Sequence, residues 1–214
     1  DMEYCLYENG QLKRVIQMFK GNEMTENDAN GKRVYVGGYA GDMKNGFVRN
    51  GRGYCINDEI AKQYGEFENG KMKRVMQEFD GSTMTEYNEN GVMSYLGEWK
   101  GDMNSGFVRE GKGNELDENE RVKRVCVYEN GRMKRVVQEF NGKEMVEYDE
   151  NGKKVYEGGF NGFDRNGNGY CFNVDGKDME YCLYENGELK RVIQMFKGNE
   201  MTENDANGKR VYVG

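Results

Sequence analysis

Proline and histidine are absent from this 214-residue chain, tryptophan occurs once, and only 36% of the residues are hydrophobic. Without proline, the 31 glycines belong neither to a Pro-rich linker nor to a collagen-like repeat. Without histidine, the commonest general base and the commonest metal ligand are both missing, so the expectation is a protein that is not an enzyme, with no cofactor and no metal. Carboxylates are plentiful, as in "MVEYDENG" at Met145–Gly152, but they gather where turns are expected and acidic side chains are solvated. No run of 18 apolar residues and no signal-like opening occurs, which points away from a membrane span and from secretion. The five cysteines, Cys5, Cys55, Cys126, Cys171 and Cys182, are odd in number and contain no CxxC pair. They fit neither a disulfide framework nor a zinc site, and read as small strand residues in a reduced, cytoplasmic setting.

Composition also limits the core. Mean hydropathy is −1.00 and charged residues reach 32%, so a thick interior is not expected. Such a chain risks disorder, because burial must offset the entropy of ordering. Its 15 Tyr and 10 Phe argue otherwise, since they recur at fixed places, as in a thin sheet with partly covered faces. With 31 basic against 38 acidic residues the net charge is −7, which disfavours nucleic acid and anionic membranes as general partners.

Self-similarity dominates the sequence. "ENGQLKRVIQMF" at Glu8 returns as "ENGKMKRVMQEF" at Glu68, "ENGRMKRVVQEF" at Glu129 and "ENGELKRVIQMF" at Glu185, at offsets of 60, 61 and 56. Asn30-Gly31 returns at residues 90, 151 and 207 with the same offsets. The short step arises where Gly41–Gly53 and Gly101–Gly113 correspond to Gly162–Gly169, which is five residues shorter. Above this lies a 177-residue period: residues 1–37 and 178–214 are the same apart from Gln11 against Glu188. The units therefore span 1–62, 63–123, 124–177 (shortened) and 178–214, the last opening the next super-repeat. Asp1 is not a Met and Gly214 falls inside a repeat, so the expectation is a piece of a longer array.

Within a unit, turn signals fall at Asn69-Gly70, Asp80-Gly81, Asn90-Gly91, Lys100-Gly101, Gly111–Gly113 and near Glu118-Asn119. Asn-Gly and Asp-Gly suit the positive φ of type I′ hairpin turns. Between them lie short runs such as "KRVMQEF" and "MSYLGEW", rich in β-branched and aromatic residues. Frequent glycines make a helix costly at about 1 kcal/mol each. The fold expected is all-β: an elongated antiparallel β-meander, or β-hairpin repeat solenoid, with about six strands per unit.

The best candidate surface is the recurring basic and apolar strip: Lys13, Arg14 and Ile16; Lys73, Arg74 and Met76; Lys134, Arg135 and Val137; Lys190, Arg191 and Ile193. Simple strand alternation puts Val75, Gln77 and Phe79 on one face and Arg74, Met76 and Glu78 on the other, so that one face is core and the other is displayed. Fourteen Met give an adaptable apolar surface, and the Lys/Arg beside it suit an acidic protein partner. The alternative is ordinary sheet packing with solvated basic edges. "DRNGNGYCFNVD" at Asp164–Asp175 spaces oxygen ligands like a calcium loop, with Gly169 at the sixth position. It aligns, however, with ordinary turns elsewhere in the chain, and a structural hairpin is the favoured reading.

"VYVGGYAGDMKNGFVRNGRGY" at Val34–Tyr54 resembles a MORN repeat, as do Ser94–Gly113 and, shortened, Val155–Tyr170. Tyr95, Gly97, Trp99, Gly101, Gly106, Gly111 and Gly113 occupy the matching places. The "YENGxxKRV" hairpins resemble related repeats of some bacterial antitoxin-like proteins. The resemblance implies an elongated β-hairpin array used as a cytoskeletal or junctional scaffold, or as an accessory recognition module of a larger enzyme. Lipid binding, and with it a peripheral membrane tether, is proposed for some members, but the acidic balance here speaks against it. The regular super-repeat is also similar to scaffold proteins of ciliate contractile fibres, which carry a centrin-like calcium-binding protein. That likeness implies a cytoplasmic, cytoskeletal filament that self-associates or packs laterally and offers regularly spaced sites to such a partner.

Overall fold

The computed structural model describes residues 1–214 except Glu59 and Val174. It is all-β, with no helix among the described residues, and none that is long and apolar enough to cross a membrane. Two compact units divide the chain inside one strand rather than between repeats: Asp1–Glu110 with Glu118–Glu120, and Gly111–Asp117 with Arg121–Gly214. In the first unit the strands are β1 (Met2–Glu8), β2 (Gln11–Lys20), β3 (Glu23–Asn27), β4 (Arg33–Asp42), β5 (Gly46–Asn57), β6 (Ile60–Glu68), β7 (Lys71–Asp80), β8 (Thr83–Tyr87) and β9 (Met93–Asp102). Strand β10 (Gly106–Leu116) begins there and ends in the second unit. The second unit continues with β11 (Val122–Glu129), β12 (Arg132–Asn141), β13 (Glu144–Tyr148), β14 (Lys154–Asn161), β15 (Asp164–Phe172), β16 (Met179–Glu185), β17 (Glu188–Lys197), β18 (Glu200–Asn204) and β19 (Arg210–Val213). In each unit consecutive strands pair antiparallel in chain order, forming an open meander.

Three kinds of turn recur. At Asn9-Gly10, Asn69-Gly70, Asn130-Gly131 and Asn186-Gly187 both residues have positive φ, as a type I′ hairpin requires. At Gly21, Gly81, Gly142 and Gly198 only the first central residue does, the signature of type II′. Asn30-Gly31 and its equivalents also depart from the expected I′ geometry. There the Asp28 carboxylate accepts hydrogen bonds from the Asn30 and Lys32 amides, and Gly31 alone takes the left-handed conformation. Asn88, Asp149 and Asp205 repeat the arrangement.

Two expected turns are not turns. Lys100-Gly101 lies inside β9 and Gly111–Gly113 inside β10. In the first repeat, the equivalent inner glycines serve close approach. A Cβ on Gly53 would stand 2.4 Å from the Tyr35 hydroxyl, and one on Gly37 would stand 2.3 Å from the Gly53 Cα. Among the described residues, successive repeats are therefore offset by five strands rather than six, since β2, β7, β12 and β17 carry the equivalent "KRV" segments.

An odd number has a geometric consequence. Equivalent strands of successive repeats run in opposite directions while keeping the same neighbour on the same side. That operation is a half-turn about the axis along which the sheet grows, and it also exchanges the two faces. The register confirms it within the first unit. Phe19 faces Met24, Met24 faces Gly37, Gly37 faces Gly53 and Gly53 faces Gly65, so all share one face. Gln63, two residues before Gly65, faces Glu78, which puts Phe79 on the opposite face. Within the second unit, Phe140 and Phe196 are separated by the same logic.

The core is correspondingly a series of small clusters. One holds Phe19, Met24, Tyr35 and Phe67, backed by Tyr39, Phe47, Cys55 and Met72. Another holds Met145, Tyr156, Cys182 and Tyr184. Each fully buried Phe or Met stabilises by about 1.5–3 kcal/mol. Met72 and Phe79, on one strand, face opposite sides, so β7 serves two clusters.

Candidate functional site

The twelve strip residues fall at the strongest irregularities of the sheet. Cys5 faces Val15 and Tyr4 faces Gln17, so Ile16 is an extra, unpaired residue. Leu6 faces Arg14 and Tyr7 faces Leu12, so Lys13 is another. Lys73 and Met76, Lys134 and Val137, and Lys190 and Ile193 are bulged in the same way. Each strand thus carries two β-bulges, which bend it and raise its twist. This overturns the simple alternation: Val75 faces Gly65 and Gln77 faces Tyr64, so Val75 lies opposite to Gln77 and Phe79 rather than beside them.

The side chains do not form one flat displayed strip. Lys13, Lys73 and Lys134 are exposed and pair with Glu8, Glu68 and Glu129 at 2.9, 2.7 and 3.1 Å, five residues back across the tight turn. Lys190 pairs with Glu188 at 2.9 Å and lies 3.9 Å from Glu185. Arg14, Arg74, Arg135 and Arg191 are half-buried. The Arg14 guanidinium donates to the Asp28 carbonyl, and Arg74 pairs with Glu66 at 3.1 Å. Ile16, Met76, Val137 and Ile193 are half-buried at the bulges.

A second recurring constellation was not singled out in the sequence. Tyr35, Tyr95 and Tyr156 are fully buried, and their hydroxyls donate to the carbonyls of Gly38, Glu98 and Gly159. Arg49, Arg109 and Arg165 lie over these rings at 4.8, 4.2 and 4.5 Å and pair with Glu26, Glu86 and Glu147. Burial pushes the Tyr35 and Tyr156 hydroxyls up to about 12. This set locks all three hairpins, the two long ones and the shortened one, and the "FVRNG", "FVREG" and "FDRNG" motifs were its visible trace.

The repeats differ at the shortened hairpin. The five missing residues remove a tip like Asp42–Gly46, where Asp42 accepts hydrogen bonds from Lys44 and Asn45 that hold its carboxyl below the usual range. The conserved-length remainder keeps Arg165 and Phe163, the counterparts of Arg49 and Phe47. Phe19 and Phe79 are buried beneath Phe47 and Phe107, at ring distances of 4.6 and 4.4 Å. In the short repeat Phe163 stands 5.8 Å from Phe140 and is 48% exposed, while Phe140 is only half-buried. Phe140, Phe160 and Phe163 line a depression of about 690 Å³ together with Arg121, Lys123 and Asp117. The five-residue deletion was the signal that could have located it.

Asp164–Asp175, weighed as a calcium loop, runs as strand β15 up to Phe172, with Arg165 at its start paired to Glu147; Val174 lies outside the described residues. Burial raises the Cys55, Cys126 and Cys182 thiols, keeping them protonated. Among the described residues no group of three or more His, Cys, Asp or Glu is placed to hold a metal ion.

No family model matches the sequence, and no curated protein matches it. Among solved structures, an alternansucrase in complex with isomaltononaose is similar over 91% of this chain, at 14% identity and a TM-score of 0.16. This chain spans 16% of that protein's length.

Proposed function

We propose that the chain is a non-enzymatic scaffold, a MORN-type array of the cytoskeletal, contractile-fibre class, whose repeats hold an acidic protein partner such as a centrin-like calcium-binding protein. The single observation that carries the reading is the shortened third repeat. Two repeats close their aromatic cluster with a long hairpin, and the third leaves Phe140, Phe160 and Phe163 partly uncovered. Three Phe beside Arg121 and Lys123, with Asp117 the single acidic residue lining the same depression, form a place where an aromatic or aliphatic anchor flanked by carboxylates docks. Spaced at one per 177-residue period, such sites gain from one another through avidity.

The test uses the whole chain as bait in cell extract, with and without calcium. Capture of an acidic calcium-binding protein by the parent chain, reduced at least about tenfold by Phe163→Ala combined with Lys123→Glu, is expected. Both side chains are exposed, so fold is preserved. Capture that is absent, or equal for the double variant, defeats the reading.

A further inference from the structure

One corner of the sheet carries different chemistry in each repeat. Gly53 faces Gly65, Gly113 faces Cys126 and Gly169 faces Cys182. Two residues beyond each of the first-named glycines, on the same face, stand Cys55, Glu115 and Cys171. The corner thus holds a thiol beside a glycine, then a thiol beside a carboxylate and, in the third repeat, two thiols. Paired strands flank that third corner on both sides, β14 before β15 and β17 after β16. Cys171 is half-buried, as Cys55 is.

The surroundings of the two thiols are chemically specific. Gly169 leaves the place opposite Cys182 without a side chain, and Tyr156 occupies it: a Cβ on Gly169 would stand 2.5 Å from that ring. Cys182 is fully buried with Tyr156 and Tyr184, Cys171 packs against the same cluster, and the two thiols hydrogen-bond. The Arg165 guanidinium gives Nε and Nη2 to Glu147, which leaves Nη1 to donate to the Tyr184 hydroxyl at 3.1 Å and to Cys171 Sγ at 3.8 Å. The Tyr184 hydroxyl lies 2.9 Å from that sulfur. In the first repeat Phe67 stands where Tyr184 does, and in the second Glu115 accepts the hydrogen bond of the Tyr128 hydroxyl.

We propose that Cys171 and Cys182 are an oxidisable thiol pair whose substrate is a hydroperoxide. The Cys171 sulfur attacks the peroxide, and an S–O bond forms as the O–O bond breaks. The departing oxygen leaves with the electron pair and takes the thiol proton, as an alcohol or water, with Arg165 and Tyr184 placed to hydrogen-bond it. The Cys182 sulfur then attacks the sulfenic sulfur of Cys171, forming the S–S bond and expelling hydroxide, which takes the Cys182 proton and departs as water. Two thiols are oxidised and one peroxide is reduced. Burial pushes the Cys182 thiol up to about 12, so Cys171 meets the oxidant first. The link fastens β15 to β16, and so joins the third repeat to the unit that opens at residue 178. It is independent of any partner docked at Phe163.

The experiment exposes the reduced whole chain to a small excess of hydrogen peroxide, alkylates the remaining thiols, cleaves with trypsin and weighs the peptides. Cleavage after Arg165, Lys177 and Lys190 separates the Cys171 peptide from the Cys182 peptide, and Gln11 against Glu188 tells the Cys5 peptide from the latter. The Cys171 and Cys182 peptides should appear joined, two hydrogens lighter than their sum, and should part on reduction with dithiothreitol. Their joining should be at least about tenfold faster than oxidation of Cys55 or Cys126. In an equal mixture of ¹⁴N and ¹⁵N chain, each joined pair should carry a single label. Cys171→Ser should leave Cys182 alkylatable, and Cys182→Ala should halt the reaction at a Cys171 sulfenic acid that dimedone traps. If Cys182→Ala does not fold, the parent chain and Cys171→Ser, a change at a half-buried position, decide the matter. No joined peptides, equal oxidation of Cys55 or Cys126, mixed-label links, or oxidation of Cys182 in Cys171→Ser overturns the proposal.

Discussion

Residues 1–37 and 178–214 make a controlled comparison inside one molecule. Their local structure is the same: Asn9 and Asn186 have φ of 52° and 49°, and the bulges fall at equivalent places in β2 and β17. Their burial is not. Tyr35, with β5 beside it, is fully buried, while the identical Tyr212 on β19 is 51% exposed. Turns, bulges and pairing are written locally, whereas each cluster is completed by the neighbouring strands, as in other arrays with nearest-neighbour energetics.

The largest effect that could break this comparison is a truncation made in both copies. Tyr35→Ala empties a fully buried site and removes the hydroxyl bond to Gly38, so a loss of about 3–5 kcal/mol is expected. Tyr212→Ala should stay within about 0.5 kcal/mol. Denaturant titration followed by amide exchange of β4 and β19 measures both. Similar losses would mean that burial is not supplied by neighbours.

Substitutions in the shared turn should behave in the opposite way. Gly10 and Gly187 sit at φ of 77° and 83°, so alanine is strained equally in each. Gly10→Ala and Gly187→Ala should each cost about 1 kcal/mol or somewhat more. A difference well beyond that between the two would show that the turn is not autonomous.

These contrasts also explain what was legible in the sequence. The repeat, the all-β class, the turns at residues 9–10, 69–70, 130–131 and 186–187 and the shortened hairpin could be read because each depends on nearby residues. Gly37, Gly53 and Gly113 were ambiguous, since glycine marks a turn and a close approach alike. Reading Gly111–Gly113 as a corner added a sixth strand per repeat, and an even count would place equivalent clusters on one face. The bulges at Lys13 and Ile16 were hidden because an inserted residue leaves no mark in composition. The exposed Phe140–Phe160–Phe163 cluster required knowing which aromatic the missing hairpin tip would have helped to cover.

Alkaline titration sharpens the comparison less dramatically. Burial pushes Tyr35, Tyr54, Tyr156 and Tyr184 up to about 12, and a hydrogen bond to Glu78 does the same for Tyr87. A raised folded value means that the native state holds the proton more tightly than the unfolded chain. The stabilisation is complete below the ordinary tyrosine value near 10 and is lost as pH climbs from there toward 12. Tyrosinate absorbance and far-ultraviolet circular dichroism should therefore change together in that window. Ionisation of these tyrosines with the strand signal intact would contradict their burial.

The smallest effect is expected at the bulged lysines. Lys73 is exposed, and its pairing with Glu68 raises its own value, but water and salt screen such a pair and ordering two long side chains offsets the attraction. The bulge itself is set by the register of β6 against β7, in which Phe67 faces Met72 and Glu66 faces Arg74 whatever occupies position 73. Lys73→Ala should leave the denaturation midpoint within error, and Lys13→Ala, at the uncovered first hairpin, should do the same. If Lys73→Ala alone destabilised the chain, the lysine would be a structural part of the bulge wherever neighbours cover the hairpin, and position 73 could no longer be treated as a side chain left over for a partner.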